Sequence, residues 1–253
     1  MVPKVEFKVK PLEKYLDVMY YILNSKGSSR NWSKGIFREY PSLKRKLVGI
    51  KNYNERNKIT HEYFKKQEII RESDLIKKRK QFQNSWDKIN NKALKALSEV
   101  TEIKWPKKDK IITAYTTLNP ICPRWIKQRT FDLFYKFNMK KMKAVSLHEF
   151  LHFIYFEKWK SVFPKTNERE FDGPYLVWEL SEMVPPIILS DERIQKIIRH
   201  KPPVYKEYVR LKIKNKPLLN HLQKFYDNKK DFEEFLKQSW KFVKKYEKEI
   251  KSI

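Results

Sequence analysis

The sequence predicts an α+β protein, mainly helical, with a small three-stranded, mostly antiparallel sheet. Three observations lead there. Residues 60–97 are highly charged, hold no glycine or proline, and carry sparse apolar positions such as Phe64, Ile69, Leu75, Phe82 and Trp86; this is the pattern of one long surface helix or two. Residues 100–137 switch to apolar residues at alternate positions, the period of a strand. From Met139 onward helical spacing returns, interrupted by proline-bearing loops.

The elements follow in order. Val5, Phe7 and Val9 alternate with charged residues and suggest a short half-exposed strand. Pro11 stands where a helix can begin, and Leu12 to Asn24 carries helical apolar spacing. Gly27-Ser28-Ser29 breaks that helix, and residues 30–60 show no clear period. Val100 to Trp105, a Pro106–Asp109 turn and Ile111 to Leu118 read as a hairpin. After an irregular loop with Asn119-Pro120 and Cys122-Pro123, Phe131 to Phe137 suggests a third strand. A helix is expected over Met139 to Lys160, a charged loop over Pro164 to Pro174, and a helix from Tyr175 to Val184 that ends at Pro185-Pro186. Another helix is expected from Ser190, with Asp191 and Glu192 in its first turn and Arg199 and His200 in its last. Beyond Pro202-Pro203 the chain reads as helical to its end, with Phe232, Phe235, Leu236, Val243, Tyr246 and Ile250 on one face. The expected organisation is a helical, basic N-terminal region over residues 1–99 and a core with C-terminal helices over residues 100–253.

Composition narrows the class. With 253 residues, 40% of them hydrophobic and 15% aromatic, the chain can bury a core and is not a disordered segment. Four glycines and no visible repeat exclude collagen-like and solenoid folds. One cysteine, Cys122, excludes an internal disulfide framework and a cysteine-rich zinc module. Residues 1–8 lack the apolar stretch of a signal peptide, and no apolar run approaches the roughly 18–20 residues that span a bilayer. A reducing cytoplasm, without membrane attachment, is the expected setting.

The net charge is +27, which invites a polyanion as partner. Of the 57 basic residues 45 are Lys and 12 are Arg, whereas arginine is the favoured reader of phosphates and guanine edges. Runs such as Lys77-Lys78-Arg79-Lys80 and Lys140-Lys141-Met142-Lys143 therefore read first as solvated faces, with salt-sensitive, non-specific polyanion binding expected.

The chemistry concentrates in residues 144–156, where His148-Glu149-Phe150-Leu151-His152 is flanked by apolar residues. On a helix, positions four apart lie one turn apart on one face, so two imidazoles there can share a zinc. Glu149 is placed to act as general base toward a metal-activated water without ligating the metal. With 5 His and 21 Glu in 253 residues, the pattern should occur by chance about 0.008 times. The bland alternative is a buried helix with two hydrogen-bonded structural histidines. A third protein ligand is needed. The extended metzincin pattern would continue with a glycine and a ligating histidine, but the positions concerned hold Tyr155 and Lys158. The segment Tyr175 to Val184 offers Glu179 and Glu182, 27 and 30 residues after His152. Glu182 is favoured as ligand, with Glu179 as an orienting neighbour or the alternative ligand; Asp172 is a third candidate.

These residues resemble the gluzincin branch of the zincin metallopeptidases over about residues 100–185: a small sheet, an HExxH helix and a glutamate-bearing helix. The resemblance implies a zincin-like fold, Zn2+ as cofactor, a peptide or protein substrate, and hydrolysis with Glu149 as general acid/base. It also implies a sheet edge strand that pairs with substrate, for which Ile111 to Leu118 is the candidate, and an oxyanion-stabilising side chain to be sought among Tyr155, Tyr175, His200 and Tyr205. Two other readings stay open. One is a catalytically inactive zincin fold or basic helical protein that binds nucleic acid or an acidic partner. The other is a regulatory protease with one target. Two His and one carboxylate also suit other divalent ions. His61, His221 and Cys122 carry no metal or catalytic pattern.

Overall fold

The computed structural model describes residues 1–24 and 32–252, so the expected break at Gly27-Ser28-Ser29 lies outside the described residues. The chain divides into two compact units that interleave along the sequence. One comprises Met1–Lys4, Ile89–Lys110 and Lys143–Ile253; the other comprises Val5–Lys88 and Ile111–Met142. Residues 99 and 100, the break suggested by composition, both fall within Ile89–Lys110. The fold is mainly helical with a small mixed sheet.

The second unit is built around a sheet of four strands: β1 (Lys4–Val9), β2 (Ile111–Thr117), β3 (Arg124–Trp125) and β4 (Thr130–Phe134), in the order β1-β2-β4-β3. β2 pairs with β4 in parallel, with Thr113 opposite Thr130 and Thr117 opposite Phe134. β1 also runs parallel to β2, because Lys4 N–H donates to Lys110 C=O and Lys10 N–H to Thr116 C=O, six residues further along both strands. Only the two-residue β3 is antiparallel to its neighbour β4. Two expectations are corrected here. The sheet has four strands and is mostly parallel, and Ile111 to Leu118 is an interior strand, so its backbone edges already serve β1 and β4. Pairing of β1 with a strand about a hundred residues later leaves no local sequence signal.

Against this sheet and beside it pack α1 (Leu12–Asn24), α2 (Ser33–Glu39), α3 (Pro41–Leu47) and α4 (Tyr53–Asp87). α4 runs 35 residues, capped by Asn52, whose side chain accepts from Glu55 N–H. Phe64, Leu75, Phe82 and Trp86 are buried, whereas Ile69, Ile70 and Ile76 are exposed among its charged residues. The alternation that suggested a hairpin arm at residues 100–105 forms no strand: Val100 and Thr101 end α5 (Asn90–Thr101) in the first unit, and residues 102–105 follow it without regular structure. Ala93, Leu94, Leu97, Val100 and Thr101 keep helical spacing and are all buried, and Glu102 in the left-handed region (φ 51°) ends the helix.

The first unit continues with α6 (Met139–Val162), whose first turn belongs to the second unit. A 3-10 turn (Glu168–Phe171) follows, closed by a capping box on Asn167. Next come α7 (Leu176–Met183), α8 (Pro185–Ile188) and α9 (Glu192–Ile198). α7 ends just before Pro185-Pro186, as expected; Pro185 then opens α8 at the first helical position, where its missing N–H costs nothing. The C-terminal segment is not helical throughout. Between α10 (Lys206–Arg210) and α11 (Leu218–Asp227) lies a hairpin of β5 (Lys212–Ile213) and β6 (Lys216–Pro217). Lys214 and Asn215 both have positive φ (48° and 62°), the requirement of a type I′ turn. α12 (Phe232–Lys245) and α13 (Glu247–Lys251) complete the unit.

α9 is anchored by Asp191, which caps it through Arg193 N–H and accepts from the Arg193 guanidinium and the Tyr226 hydroxyl, each side-chain bond at 2.8 Å. The Arg193 side-chain bonds, helped by Tyr226, hold the Asp191 carboxyl down from 3.8 to about 2 against the opposing effect of burial. A depressed folded value stabilises above the unfolded one: the contribution is whole above about pH 4 and is lost as pH falls through about 2. Asp191→Ala is expected to cost about 1–2 kcal/mol at pH 7. Urea titrations at pH 7 and pH 2.5 should show the gap between wild type and variant narrowing at the lower pH, and an unchanged gap would refute the assignment.

Candidate metal centre

α6 is the helix of the His-Glu-x-x-His segment. Its centre is buried on nearly every side by Leu147, Phe150, Leu151, Phe153 and Ile154, so its three ionisable residues enter an apolar interior. His148 is 7%, Glu149 5% and His152 0% exposed. Isolated polar groups at such depth cost several kcal/mol unless partnered. The partner comes from α7, an eight-residue helix whose residues are all buried, Glu179 and Glu182 included. Phe156, which stacks on His152, also stacks on Phe171 with ring centroids 4.3 Å apart, closing one wall.

Three donor atoms converge. His148 Nε2 lies 3.0 Å from His152 Nε2 and 3.2 Å from Glu182 Oε2, and His152 Nε2 lies 3.6 Å from Glu182 Oε1. His148, His152 and Glu182 together form a group that can hold a metal ion. The spacing fits that use. Ligand atoms bound tetrahedrally at zinc–ligand distances near 2.0–2.1 Å stand about 3.3 Å apart, and the observed separations bracket that value. The donor set fits as well. Two imidazole nitrogens and a carboxylate oxygen, the ligand types zinc takes, face one another in a buried cluster.

Compared with known proteins, the chain matches no family model, no curated protein and no solved structure.

Of the carboxylates offered by the sequence, Glu182 stands with the two histidines. Glu179 stands apart from that group and accepts a hydrogen bond from the Tyr208 hydroxyl, which also donates to the Glu179 carbonyl at 3.3 Å. Asp172 is exposed, at the end of the 3-10 turn. Glu149 lies on α6 one residue beyond His148, and its carboxylate is likewise buried. Of the four side chains weighed for oxyanion stabilisation, Tyr155 is on the histidine-bearing stripe of α6, three residues after His152, and is fully buried. Burial pushes its hydroxyl well above the ordinary tyrosine value, so it is a neutral donor at any working pH. Tyr175, His200 and Tyr205 are more exposed. His61 pairs with Glu13 at 3.2 Å and His221 bonds the Ile213 carbonyl at 2.9 Å, so both have structural partners.

Tyr208 was not singled out by the sequence. It is fully buried on the five-residue α10, 29 residues from Glu179. Its only sequence signal is an apolar ring within a charged stretch, a signal shared by many core tyrosines.

Proposed function

We propose that the protein is a zinc-dependent metallopeptidase of the gluzincin kind. The observation that carries this reading is the convergence of His148, His152 and Glu182 within one buried cluster, with Glu149 beside it on the same helix. The order along the chain supports it too: a mixed sheet, an HExxH helix, then a glutamate helix. In this reading His148, His152 and Glu182 hold the ion. Zinc, when bound, supplies Lewis acidity toward a peptide carbonyl and toward water. Glu149 takes a proton from the attacking water as its oxygen adds to the carbonyl carbon. It then delivers that proton to the amine nitrogen as the C–N bond breaks. Glu179, fixed by Tyr208, orients α7 so that Glu182 faces the histidines. The substrate is a peptide or protein, and the compartment is the cytoplasm, where a chain with a single cysteine needs no oxidising partner.

The test is metal content. Purified protein is expected to carry about one zinc per chain by elemental mass spectrometry, and His148→Ala is expected to carry almost none. Stoichiometric zinc retained in the variant, or none in folded wild type after reconstitution, would remove the reading.

A further inference from the structure

The second unit holds a separate cavity of about 440 Å³ that the metal reading does not use. Five of its lining residues come from α4: Arg71, Asp74, Lys77, Lys78 and Gln81. Arg71, Asp74, Lys78 and Gln81 follow a 3-4-3 spacing, which places them on one helix face. Tyr135 and Lys136, directly after β4, line the rest. The charged run that read as a solvated face in the sequence thus contributes two lysines to an open surface pocket that also holds a cation from a different element.

The charges do not cancel. Asp74 lies 3.6 Å from Arg71, and Glu39 pairs with Lys136. That leaves Lys77 and Lys78 with no carboxylate partner among the described residues, and both line the cavity. Tyr135 is only 6% exposed. Burial raises its hydroxyl, with Lys136 and Arg71 pulling against that shift, so a neutral hydroxyl sits among cations. Gln81 adds an amide N–H donor. A guanidinium, three ammonium groups, a phenol and an amide outnumber the one lining carboxylate, Asp74, and the volume lies within the range of small-ligand sites.

We propose that this cavity binds a compact, multiply charged oxyanion of the phosphate class, such as the phosphate groups of a phosphorylated small molecule. Lys77 and Lys78 supply the uncompensated charge, and Arg71, whose ion pair with Asp74 spans 3.6 Å, adds a planar fork. The size of this open pocket suits a small anion, whereas an extended polymer would need a continuous groove.

The probe is inorganic triphosphate, titrated calorimetrically into the full chain in metal-free buffer at fixed ionic strength. The test variant is Arg71→Gln/Lys78→Gln. The control is Lys51→Gln/Lys58→Gln, which removes the same two charges; Lys58 is exposed and 13 residues upstream of Arg71 on α4, about 20 Å along the helix. Saturable binding of one anion per chain is expected, weakened at least about tenfold in the test variant and by less than about twofold in the control. Equal weakening in both variants would mean diffuse attraction by the basic surface and would overturn the site. So would the absence of saturable one-to-one binding to the wild type. Zinc content plays no part in this readout, so its outcome is independent of the metal centre.

Discussion

Glu149→Gln is expected to keep the metal and to lose peptide hydrolysis by about 10²–10⁴-fold, the usual contribution of a positioned general base. The substitution keeps the shape of the side chain, which matters because Glu149 is only 5% exposed among the packed rings of α6. It removes the one thing the mechanism asks of this residue, a carboxylate that can accept and return a proton. The carboxamide is not among the atoms that converge on the candidate centre, so zinc stoichiometry should not change. The decisive comparison sets Glu149→Gln beside His148→Ala on the same peptide library: the first should be inactive with metal, the second inactive without it. Full activity in zinc-loaded Glu149→Gln would remove Glu149 from the mechanism while leaving the metal site in place.

The second large effect concerns stability and lies in the other unit. Lys10, 5% exposed, donates to Asp132, 0% exposed, at 2.8 Å, and its ammonium sits 3.7 Å from the centre of the Trp125 ring. Burial pulls the Lys10 ammonium below its ordinary value, and Asp132 works against that shift. Asp132→Ala is therefore expected to cost about 3–5 kcal/mol in urea unfolding, because it leaves a buried cation without its counter-charge. The double change Lys10→Met/Asp132→Leu removes both charges and keeps apolar bulk, and is expected to recover most of that loss. If the double variant is as unstable as the single one, the cost comes from packing rather than from an uncompensated charge.

How much of this was legible in the sequence differs between elements for physical reasons. The histidine-bearing helix was readable because its logic is local: four residues make about one turn, and two imidazoles that far apart must share a face. Glu182 was readable because a carboxylate in an eight-residue apolar segment is costly and needs a use. Its choice over Glu179 rested on position alone, and only the folded chain places Glu182 with the histidines and Glu179 against Tyr208. The sheet was misread because its pairings are non-local. β2 lies between β1, about a hundred residues upstream, and β4, so nothing near Ile111 announces that both its edges are taken. The β5–β6 hairpin escaped because two residues per strand are too few to show a period, and Lys214-Asn215 is an uncommon type I′ pair. At Val100 to Trp105 the end of an amphipathic helix and the irregular residues after it together imitate alternation.

The place of β1 also bears on how the chain is made. Lys4–Val9 leaves the ribosome well before the strand it pairs with, which begins at Ile111. At about 5–20 residues per second, roughly 5–20 s separate the two. For that interval Val5 and Phe7, nearly inaccessible in the finished fold, have no β2 to lie beside. A contact of such high order is slow to close even in a completed chain. The nascent protein thus carries a waiting strand, and a chaperone that shields short apolar segments would act on it before the HExxH helix has been translated.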